Sequence, residues 1–419
     1  MTTNIPIVIV ANNSAAIGFA LSLKKNNIPV YYLTNQKNEA TFSRHFKKSI
    51  IIPNIENNIQ IQTDFLTKFA KKHPFSVIVP GSDFSCLTLV STKKRLSKNT
   101  LQKYHFLLPQ NEALKTLINK RNFYQSLIKH NIPHPKTYFP ENLNDVEKIA
   151  SKIDYPVYIK PYYSHISVAR LNSKGSEAKT KEDLKHLYNL YFKNNIQVLI
   201  QECVPGPDNH LFGINAYFNK KCNPQGLFAY QWIRAWPKNL GYGVLIESVP
   251  LSKIPLQETA IKYLQSIEYH GLADMEFKKD PRDQEFKFLE VNPRVWYQNS
   301  FPAKCGINLN LIAYLDATNK KAHLNYNYKT GKKWASLTGN LFYTLQLLKN
   351  KENITNNWIG LHKIREWDYS PLDDFIPWIT HIAFIIQHQF KKTPNPLLTQ
   401  IEPKKIFKKT NKDNIQKLI

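Results

Sequence analysis

The segment FKFLEVNPRVW, residues 286–296, places Glu290, Asn292 and Arg294 at every second position, with apolar residues or proline between them. In a β-strand, side chains two residues apart lie on the same face, so a carboxylate, an amide and a guanidinium would project together. The preceding segment ADMEFKK carries Glu276. If the two segments pair as an antiparallel hairpin with an odd number of loop residues, Glu276 and Glu290 lie opposite each other, with their Cβ atoms about 5 Å apart.

Two carboxylates at that separation repel each other, and the usual remedies are a shared proton or a bound cation. The amide oxygen of Asn292 completes a set of hard oxygen donors without cysteine or histidine, which suits Mg²⁺. The pattern therefore predicts a magnesium site whose other ligands are waters and nucleotide phosphates. The alternative is the solvated face of an antiparallel hairpin, since such strands alternate polar and apolar residues in any case.

A nucleotide needs cations for its phosphates and a surface for its base. Lys120 and Lys160 are candidate phosphate contacts, because each stands where a segment of constrained backbone begins or ends. The stretch IQECVPGPD offers backbone donors and acceptors to a purine edge, and its Asp208 is a candidate contact for ribose hydroxyls. Two alternatives remain open: Lys160 as an ordinary lysine of an edge strand, and Asp208 as part of an Asx turn beside Gly206 and Pro207.

The elements that must position these residues begin with alternating strands and helices. PIVIV and IPVYYLT are short β-rich runs, and NNSAAIGFALSLKKNN between them has helical spacing behind an Asn/Ser cap. The alternation repeats at FSVIVPGSDFSCLTLVSTKKRL, which predicts an open parallel sheet. Residues 11–18 lack the G-x-G-x-x-G pattern of dinucleotide sites, so NAD binding is disfavoured although the sheet is Rossmann-like.

From about residue 111 the pattern changes. An amphipathic helix pair, NEALKTLINKRNFYQSLIKHN, precedes the strands YPVYIKP and QVLIQE, and LADMEFKKDPRDQEFKFLEVN reads as a hairpin. Residues after about 325 form a further Lys-, Asn- and Trp-bearing extension.

The formal net charge of +26 favours anionic partners, although a lysine-rich codon bias contributes to it. Lysines occur throughout the chain and no nucleic-acid-binding signature appears, so nucleic acid is disfavoured. The four cysteines are too far apart for a metal motif, which fits a reducing cytosol. We find no signal peptide and no apolar run of about 20 residues, and we expect a cytoplasmic protein.

Five stretches taken in order resemble the ATP-grasp superfamily over roughly residues 5–320: LINKRNFYQSLIKHNIPHPKT, YPVYIKP, LIQECVPGPD, MEFKKD and FLEVNPR. Their order and spacing are more specific than any one of them. LINK, FY and PKT resemble the carboxylate–amine ligase branch that includes D-aspartate ligase. The resemblance implies an α/β and α+β chain with the ATP-grasp fold. It would consist of a Rossmann-like pre-ATP-grasp domain (1–110), a small lid subdomain (111–195), a large subdomain with the Mg-ATP site (196–325) and a helical C-terminal extension (326–419).

The resemblance also implies roles for single residues. The ATP phosphates would contact Lys120 and Lys160, the adenine hinge would be lined by Gln201, Glu202 and Val204, and the ribose would be held by Asp208. Mg²⁺, with Mn²⁺ as the alternative metal, would be bound by Glu276, Glu290 and Asn292. Arg294 would steady the transferred phosphate or an acyl-phosphate, and Arg234 stands where relatives carry an arginine that faces substrate or phosphate.

By this resemblance the chain is an ATP-dependent ligase that joins a small-molecule carboxylate to an amine through an acyl-phosphate. The charge favours an anionic amino acid or envelope precursor. One alternative is a carboxylase similar to biotin carboxylase. The other is a non-catalytic ATP-binding protein, because the loop after Lys160 has only Gly175 where relatives have a more glycine-rich flap. Residues 375–390 would form either a helix packed on the core or, with the basic tail, a peripheral contact with anionic lipid on the inner face of the membrane.

Overall fold

A computed structural model of the chain describes residues 4–236, 241–320, 327–351, 364–368 and 374–390. The chain folds as two compact units. The first contains residues 1–114, 206–279 and 290–383, and the second contains residues 115–205, 280–289 and 384 onward. Each unit has a hydrophobic core of its own.

The chain opens with a five-stranded parallel sheet in the order β3-β2-β1-β4-β5. Its strands are β1 (Ile7–Val10), β2 (Val30–Thr34), β3 (Lys48–Ile51), β4 (Ser76–Pro80) and β5 (Tyr104–Phe106). Its helices are α1 (Ala15–Leu23), α2 (Ile59–Lys72), α3 (Asp83–Arg95) and α4 (Lys98–Leu101). β1 and β4 are buried along their whole length, as expected for parallel strands covered on both faces. The predicted parallel sheet is confirmed.

The strand order of this sheet reverses between β1 and β4, the place where ligands of open α/β sheets commonly bind. The turn that leaves β4 begins helix α3 with a capping box: the Ser82 hydroxyl accepts from the Ser85 backbone N–H, and the Ser85 hydroxyl accepts from that of Ser82. Asp83, the first residue of α3, is therefore carried on a rigid turn at the carboxyl end of β4.

The second unit is built on a four-stranded antiparallel sheet in the order β6-β9-β7-β8. The strands are β6 (Thr137–Tyr138), β7 (Val157–Pro161), β8 (Ser176–Ala178) and β9 (Val198–Glu202). The helices in this part of the chain are α5 (Asn111–Ile118), α6 (Lys120–Lys129), α7 (Leu143–Ala150), α8 (Ser164–Leu171) and α9 (Lys181–Lys193). The predicted helix pair is α5 and α6.

A seven-stranded sheet with the order β14-β13-β10-β11-β12-β15-β16 follows. Its strands are β10 (Leu211–Phe218), β11 (Pro224–Trp236), β12 (Tyr242–Val249), β13 (Gly271–Lys279), β14 (Phe286–Asn292), β15 (Lys333–Ala335) and β16 (Ile364–Trp367). The remaining helices are α10 (Gln257–Ser266), α11 (Phe301–Cys305), α12 (Leu309–Ala317), α13 (Leu337–Lys349) and α14 (Phe375–Phe390). The predicted hairpin is β13 and β14.

Two expectations about local structure are wrong in part. The segment after Lys160 is not a continuous loop, because residues 164–171 form the helix α8 and Gly175 stands at the start of β8 with φ +155°. The C-terminal extension is not only helical, because β15 and β16 continue the seven-stranded sheet. Trp334 on β15 is almost fully buried, and this burial explains why the strand joins the sheet.

Within the described residues, no helix is long and apolar enough to cross a membrane. The basic tail from residue 391 to residue 419 lies outside the described residues.

Candidate active site

The polar row of β14 lies beside β13 at one edge of the seven-stranded sheet. The Nδ2 atom of Asn292 is 3.2 Å from Oε1 of Glu276 and 3.3 Å from Oδ2 of Asp274. Glu290 precedes Asn292 by two residues, and its charge is near enough to raise the pKa of Asp274. The structure therefore brings Glu276 and Asn292 together, with the amide nitrogen of Asn292 facing the carboxylate.

Arg294 is held from three directions. Its Nε donates to Oδ1 of Asp83 at 2.6 Å, one terminal nitrogen donates to Oδ1 of Asn292 at 3.1 Å, and the other donates to the carbonyl oxygen of Val295 at 3.1 Å. Burial disfavours the charged guanidinium, but Asp83 and then Glu290 raise the pKa of Arg294 above its ordinary value. Arg294 is therefore a fixed positive charge next to the carboxylates of β13.

Asp274 is a buried carboxylate that the sequence analysis missed. Its Oδ1 accepts from Nδ2 of Asn215 and from the hydroxyl of Tyr230, both at 2.8 Å, while Oδ2 faces Asn292. Burial raises the pKa of Asp274 to about 6, against the opposing effects of Tyr230, Arg294 and Asn292. The alternation that singles out Glu276 also places Asp274 on the same face, but the apolar neighbours in LADMEF hide it.

These residues fit a hard divalent cation by the chemistry of their donors. The carboxylates of Asp274, Glu276 and Glu290 are hard oxygen donors, and two of them, Asp274 and Glu276, accept from the amide nitrogen of Asn292. Within the residues that the structure describes, no group of three or more His, Cys, Asp or Glu side chains has the geometry of a metal site. A cation here would be held by the carboxylates of Glu276 and Glu290, with the amide oxygen of Asn292, which accepts from Arg294, as the third proposed ligand.

Asp208 and Arg234 lie close together in the first unit. Asp208 is buried in a short 3₁₀ turn at residues 208–210, and its Oδ2 accepts from the backbone N–H of Ala235 at 2.8 Å. Arg234 stands at an irregularity in the pairing of β11 with β12 and donates to Oδ1 of Asn340 at 3.2 Å. Its guanidinium carbon is 5.8 Å from the ring centre of Tyr343. Helix α13 of the C-terminal extension thus positions Arg234.

In the second unit, Lys160 of β7 donates from Nζ to Oε1 of Gln201 on the neighbouring strand β9, at 2.7 Å. Gln201 is almost fully buried, and its Nε2 donates to the Thr137 hydroxyl at 2.8 Å. The hydroxyl of Tyr124 also donates to Oε1 of Gln201, at 3.3 Å. A buried amide oxygen therefore holds the Lys160 ammonium in place.

The other predicted nucleotide contacts are held by backbone geometry. Lys120 is the first residue of α6, behind an Asn119 cap, and its backbone N–H donates to the carbonyl of Tyr162. Glu202 has both oxygens bonded, one to the backbone N–H of Lys136 at 2.8 Å and the other to Arg282 at 3.1 Å. Its carboxylate is therefore structural, and its backbone N–H donates to the carbonyl oxygen of Lys136 at 3.0 Å. Val204, close behind β9, is buried.

Residues 252–313 match the family described as carbamoyl-phosphate synthase L chain, ATP binding domain. The D-aspartate ligase of Enterococcus faecium (strain Aus0004) is 26% identical over 247 residues, which are 56% of this chain and 58% of the ligase. The chain thus spans less than two thirds of that curated relative.

Solved structures show the same fold at low sequence identity. The N5-carboxyaminoimidazole synthetase of Staphylococcus aureus complexed with ADP superimposes with a TM-score of 0.62 at 14% identity, covering 84% of this chain and 87% of the synthetase. The biotin carboxylase–β,γ-ATP complex of Campylobacter jejuni gives a TM-score of 0.61 at 16% identity, covering 78% and 74% of the two chains. The resemblance stated from the five sequence stretches is confirmed, and the fold is that of the ATP-grasp superfamily.

Proposed function

We propose that this chain, which has the ATP-grasp fold and resembles the carboxylate–amine ligases, joins a carboxylate to an amine at the expense of ATP. The observation that carries the proposal is the row of Glu290, Asn292 and Arg294 beside Glu276, found in a chain similar to a D-aspartate ligase. ATP is the proposed nucleotide, with Mg²⁺ as the metal and Mn²⁺ as a substitute.

The proposed reaction has two stages. A substrate carboxylate attacks the γ-phosphorus of ATP, which forms an acyl-phosphate and releases ADP. An amine then attacks the acyl carbon, forms the amide, loses a proton and expels phosphate. The bound cation would disperse the negative charge of the phosphates.

The chain's own residues contribute position and charge rather than covalent chemistry. Arg294, charged and fixed on three sides, would stabilise the transferring phosphoryl group and then the acyl-phosphate. Lys120 and Lys160 would contact phosphate oxygens, and the backbone at Gln201, Glu202 and Val204 would border the adenine. Asp208 would hold the ribose, and Arg234 would face the substrate carboxylate.

A screen for ADP release over pairs of carboxylates and amines tests the proposal, with the mass of the product as the second readout. We expect release that needs both substrates, together with a product that is one water lighter than their sum. Bicarbonate-dependent release without an amine would favour the carboxylase alternative instead. Tight ATP binding with no ADP formed over a broad panel would favour a non-catalytic ATP-binding protein.

We further propose that the substrate is anionic and that the protein acts in the cytoplasm, in peripheral contact with anionic lipid. The excess of basic residues supports both parts, since it attracts acidic amino acids, envelope precursors and lipid headgroups alike. Helix α13 exposes one apolar face, and helix α14 exposes another near its start; the side chains are Leu341, Leu345, Leu348, Phe375, Ile376 and Ile379.

Co-sedimentation with vesicles tests the lipid contact. We expect the full chain to pellet with vesicles that contain anionic lipid and to stay in solution with neutral ones. Replacing Phe375, Ile376 and Ile379 by serine is expected to reduce the pelleted fraction severalfold. Equal partitioning of the full chain and of a chain without residues 370–419 would discard the idea.

A further inference from the structure

The segment that carries Arg294 is docked on the turn between β4 and α3. Besides the 2.6 Å contact of Arg294 with Asp83, the backbone N–H of Val295 donates to the carbonyl oxygen of Pro80 at 3.4 Å. The thiol of Cys86 donates to the carbonyl oxygen of Pro293 at 3.4 Å. Three successive residues of the segment therefore contact one turn of the first sheet.

This turn is rigid for local reasons. Its helix starts with the capping box of Ser82 and Ser85, and Gly81 lies so close to Ala11 that an added Cβ would be 2.4 Å from the Ala11 Cβ. The N–H of Gly81 donates to the carbonyl oxygen of Val10 at 2.9 Å, which ties the turn to β1. The carboxylate of Asp83 is thus presented from fixed backbone, next to the point where the strand order reverses.

We propose that Asp83 is a positioning residue for the ligation reaction: it orients the Arg294 guanidinium so that the arginine reaches Asn292 and the phosphoryl group at the same time. This inference rests on the proposed function. The Nε contact with Asp83 fixes the plane of the guanidinium, and that plane carries the terminal nitrogen to Asn292. The N-terminal sheet therefore contributes to catalysis through one carboxylate that need not touch either substrate.

A second feature supports a charge role rather than simple packing. Arg294 and Asp83 are both only partly exposed, at 23% and 27% of their side chains, so their attraction is weakened by solvent less than that of a surface pair. Without the carboxylate, the guanidinium would keep one contact with a backbone carbonyl and one with an amide oxygen. Both of these acceptors are uncharged, and neither of them fixes the Nε side of the guanidinium plane.

The test compares Asp83→Ala and Asp83→Asn with the wild-type chain in steady-state ADP release. We expect kcat to fall on the order of a hundredfold for Asp83→Ala and about tenfold for Asp83→Asn, while KM for ATP changes less than about threefold. The control is Asp64→Ala, which removes an exposed carboxylate of α2 that accepts from Gln60 and should leave both kcat and KM unchanged. A kcat for Asp83→Ala within about threefold of wild type would overturn the inference.

A double-mutant cycle decides whether Asp83 acts through Arg294. In an Arg294→Ala background, Asp83→Ala should cause no further loss of kcat, because the group it positions is already absent. Additive losses would contradict the inference. Because Cys86 and Pro293 hold the segment independently, we expect the variants to fold, and far-ultraviolet circular dichroism checks this.

A readout without turnover separates this inference from the proposed function. With ¹⁵N-labelled arginine, the Nε–H signal of Arg294, identified by its loss in Arg294→Lys, should exchange slowly with water in the wild type and rapidly in Asp83→Ala. Absence of ADP release from the wild type would reject the ligase proposal alone. Equal exchange in the wild type and Asp83→Ala would reject the positioning role of Asp83.

Discussion

At the scale of single residues, Asn292 joins opposite charges. Its amide nitrogen contacts the carboxylates of Asp274 and Glu276, and its oxygen accepts from Arg294. An amide alone among the small polar side chains has two donors and a carbonyl acceptor, so it can bridge carboxylates to a guanidinium. An aspartate there would repel both β13 carboxylates, and a leucine would remove all three contacts.

Glu290→Gln tests the proposed metal ligand. The change keeps the shape of the side chain and removes one negative charge from the donor set, so we expect turnover to fall at least a hundredfold, which corresponds to about 3 kcal/mol of transition-state stabilisation. The melting temperature should change little. Glu285→Gln is the matched control, because Glu285 is exposed on the same hairpin and pairs only with Lys287 among the contacts seen. Full activity of Glu290→Gln would mean that Glu290 does not bind the metal.

The pH dependence of stability provides a second test at this scale. Glu56 is buried beside Ser82 and Asn35, and burial raises its pKa to about 7 against the opposing hydrogen bond from Ser82. A carboxyl with a higher pKa in the folded state binds its proton more tightly there. Its stabilising contribution is therefore full below the unfolded pKa of about 4.3 and is lost as the pH rises to about 7.

We expect Glu56→Gln, which cannot ionise, to abolish this loss. The difference in the free energy of unfolding between variant and wild type should shift by about 3 kcal/mol in favour of the variant between pH 4.5 and pH 8. Urea unfolding at both pH values measures it, with Glu258→Gln as the control for an exposed glutamate on α10. A difference that stays constant over this range would show that Glu56 does not titrate abnormally.

At the scale of elements, pairing of β10 with β11 and β13 holds the buried partners of Asp274 in place. Gly213 of β10 lies opposite Tyr230 of β11 and Glu276 of β13. A Cβ added at Gly213 would be 2.2 Å from Cζ of Tyr230, whose ring is fully buried. Only glycine therefore leaves room for the Tyr230 hydroxyl to reach Asp274.

Gly213→Ala should displace Tyr230 and lower the free energy of unfolding by about 1–3 kcal/mol. Gly243→Ala in β12 is the comparison, because its Cβ would stay at least 3.0 Å from its neighbours, Cγ2 of Ile246 and the indole ring of Trp232, so we expect a smaller loss. Chemical unfolding with intrinsic fluorescence measures both. Equal stability of the two variants would mean that Tyr230 has more freedom than its burial indicates.

The sequence predicts the elements better than the partners of the site residues. Alternation correctly placed Asn292 and Arg294 together, although Arg294 lies two residues beyond the end of β14. It could not predict Asp83 as the partner of Arg294, since the two are 211 positions apart. The helix α8 and the strands β15 and β16 also escaped prediction, since short elements depend on tertiary contacts more than on local pattern. The proposed domain boundaries and ligand roles stay predictions.

At the scale of the whole molecule, the C-terminal extension is part of the seven-stranded sheet. β15 pairs with β12 through Leu245 and Ala335, and Asn340 of α13 contacts Arg234. Asp368, next to β16, accepts from the hydroxyls of Tyr297 and Ser336. The extension thus covers the edge of β12 and supports a predicted substrate contact.

Removal of residues 327–419 should therefore strongly destabilise the protein. The shortened chain would expose the β12 edge and the surface that Trp334 covers, so we expect aggregation or a lowered melting temperature. Removal of residues 391–419 alone keeps every described element, and we expect it to keep the melting transition. Size-exclusion chromatography and thermal unfolding compare the two, and a stable monomeric product of the longer deletion would show that the extension is a separate module.

The most direct measurement of the central claim is ADP release with product mass for the full chain, supplied with ATP, Mg²⁺, a panel of amino acids and a panel of amine acceptors. We expect ADP formation that needs Mg²⁺, a carboxylate and an amine together, with an amide as the product, and we expect Glu290→Gln to lose both. ADP formation that is unchanged in EDTA, or an amide formed at the wild-type rate by Glu290→Gln, would contradict this claim.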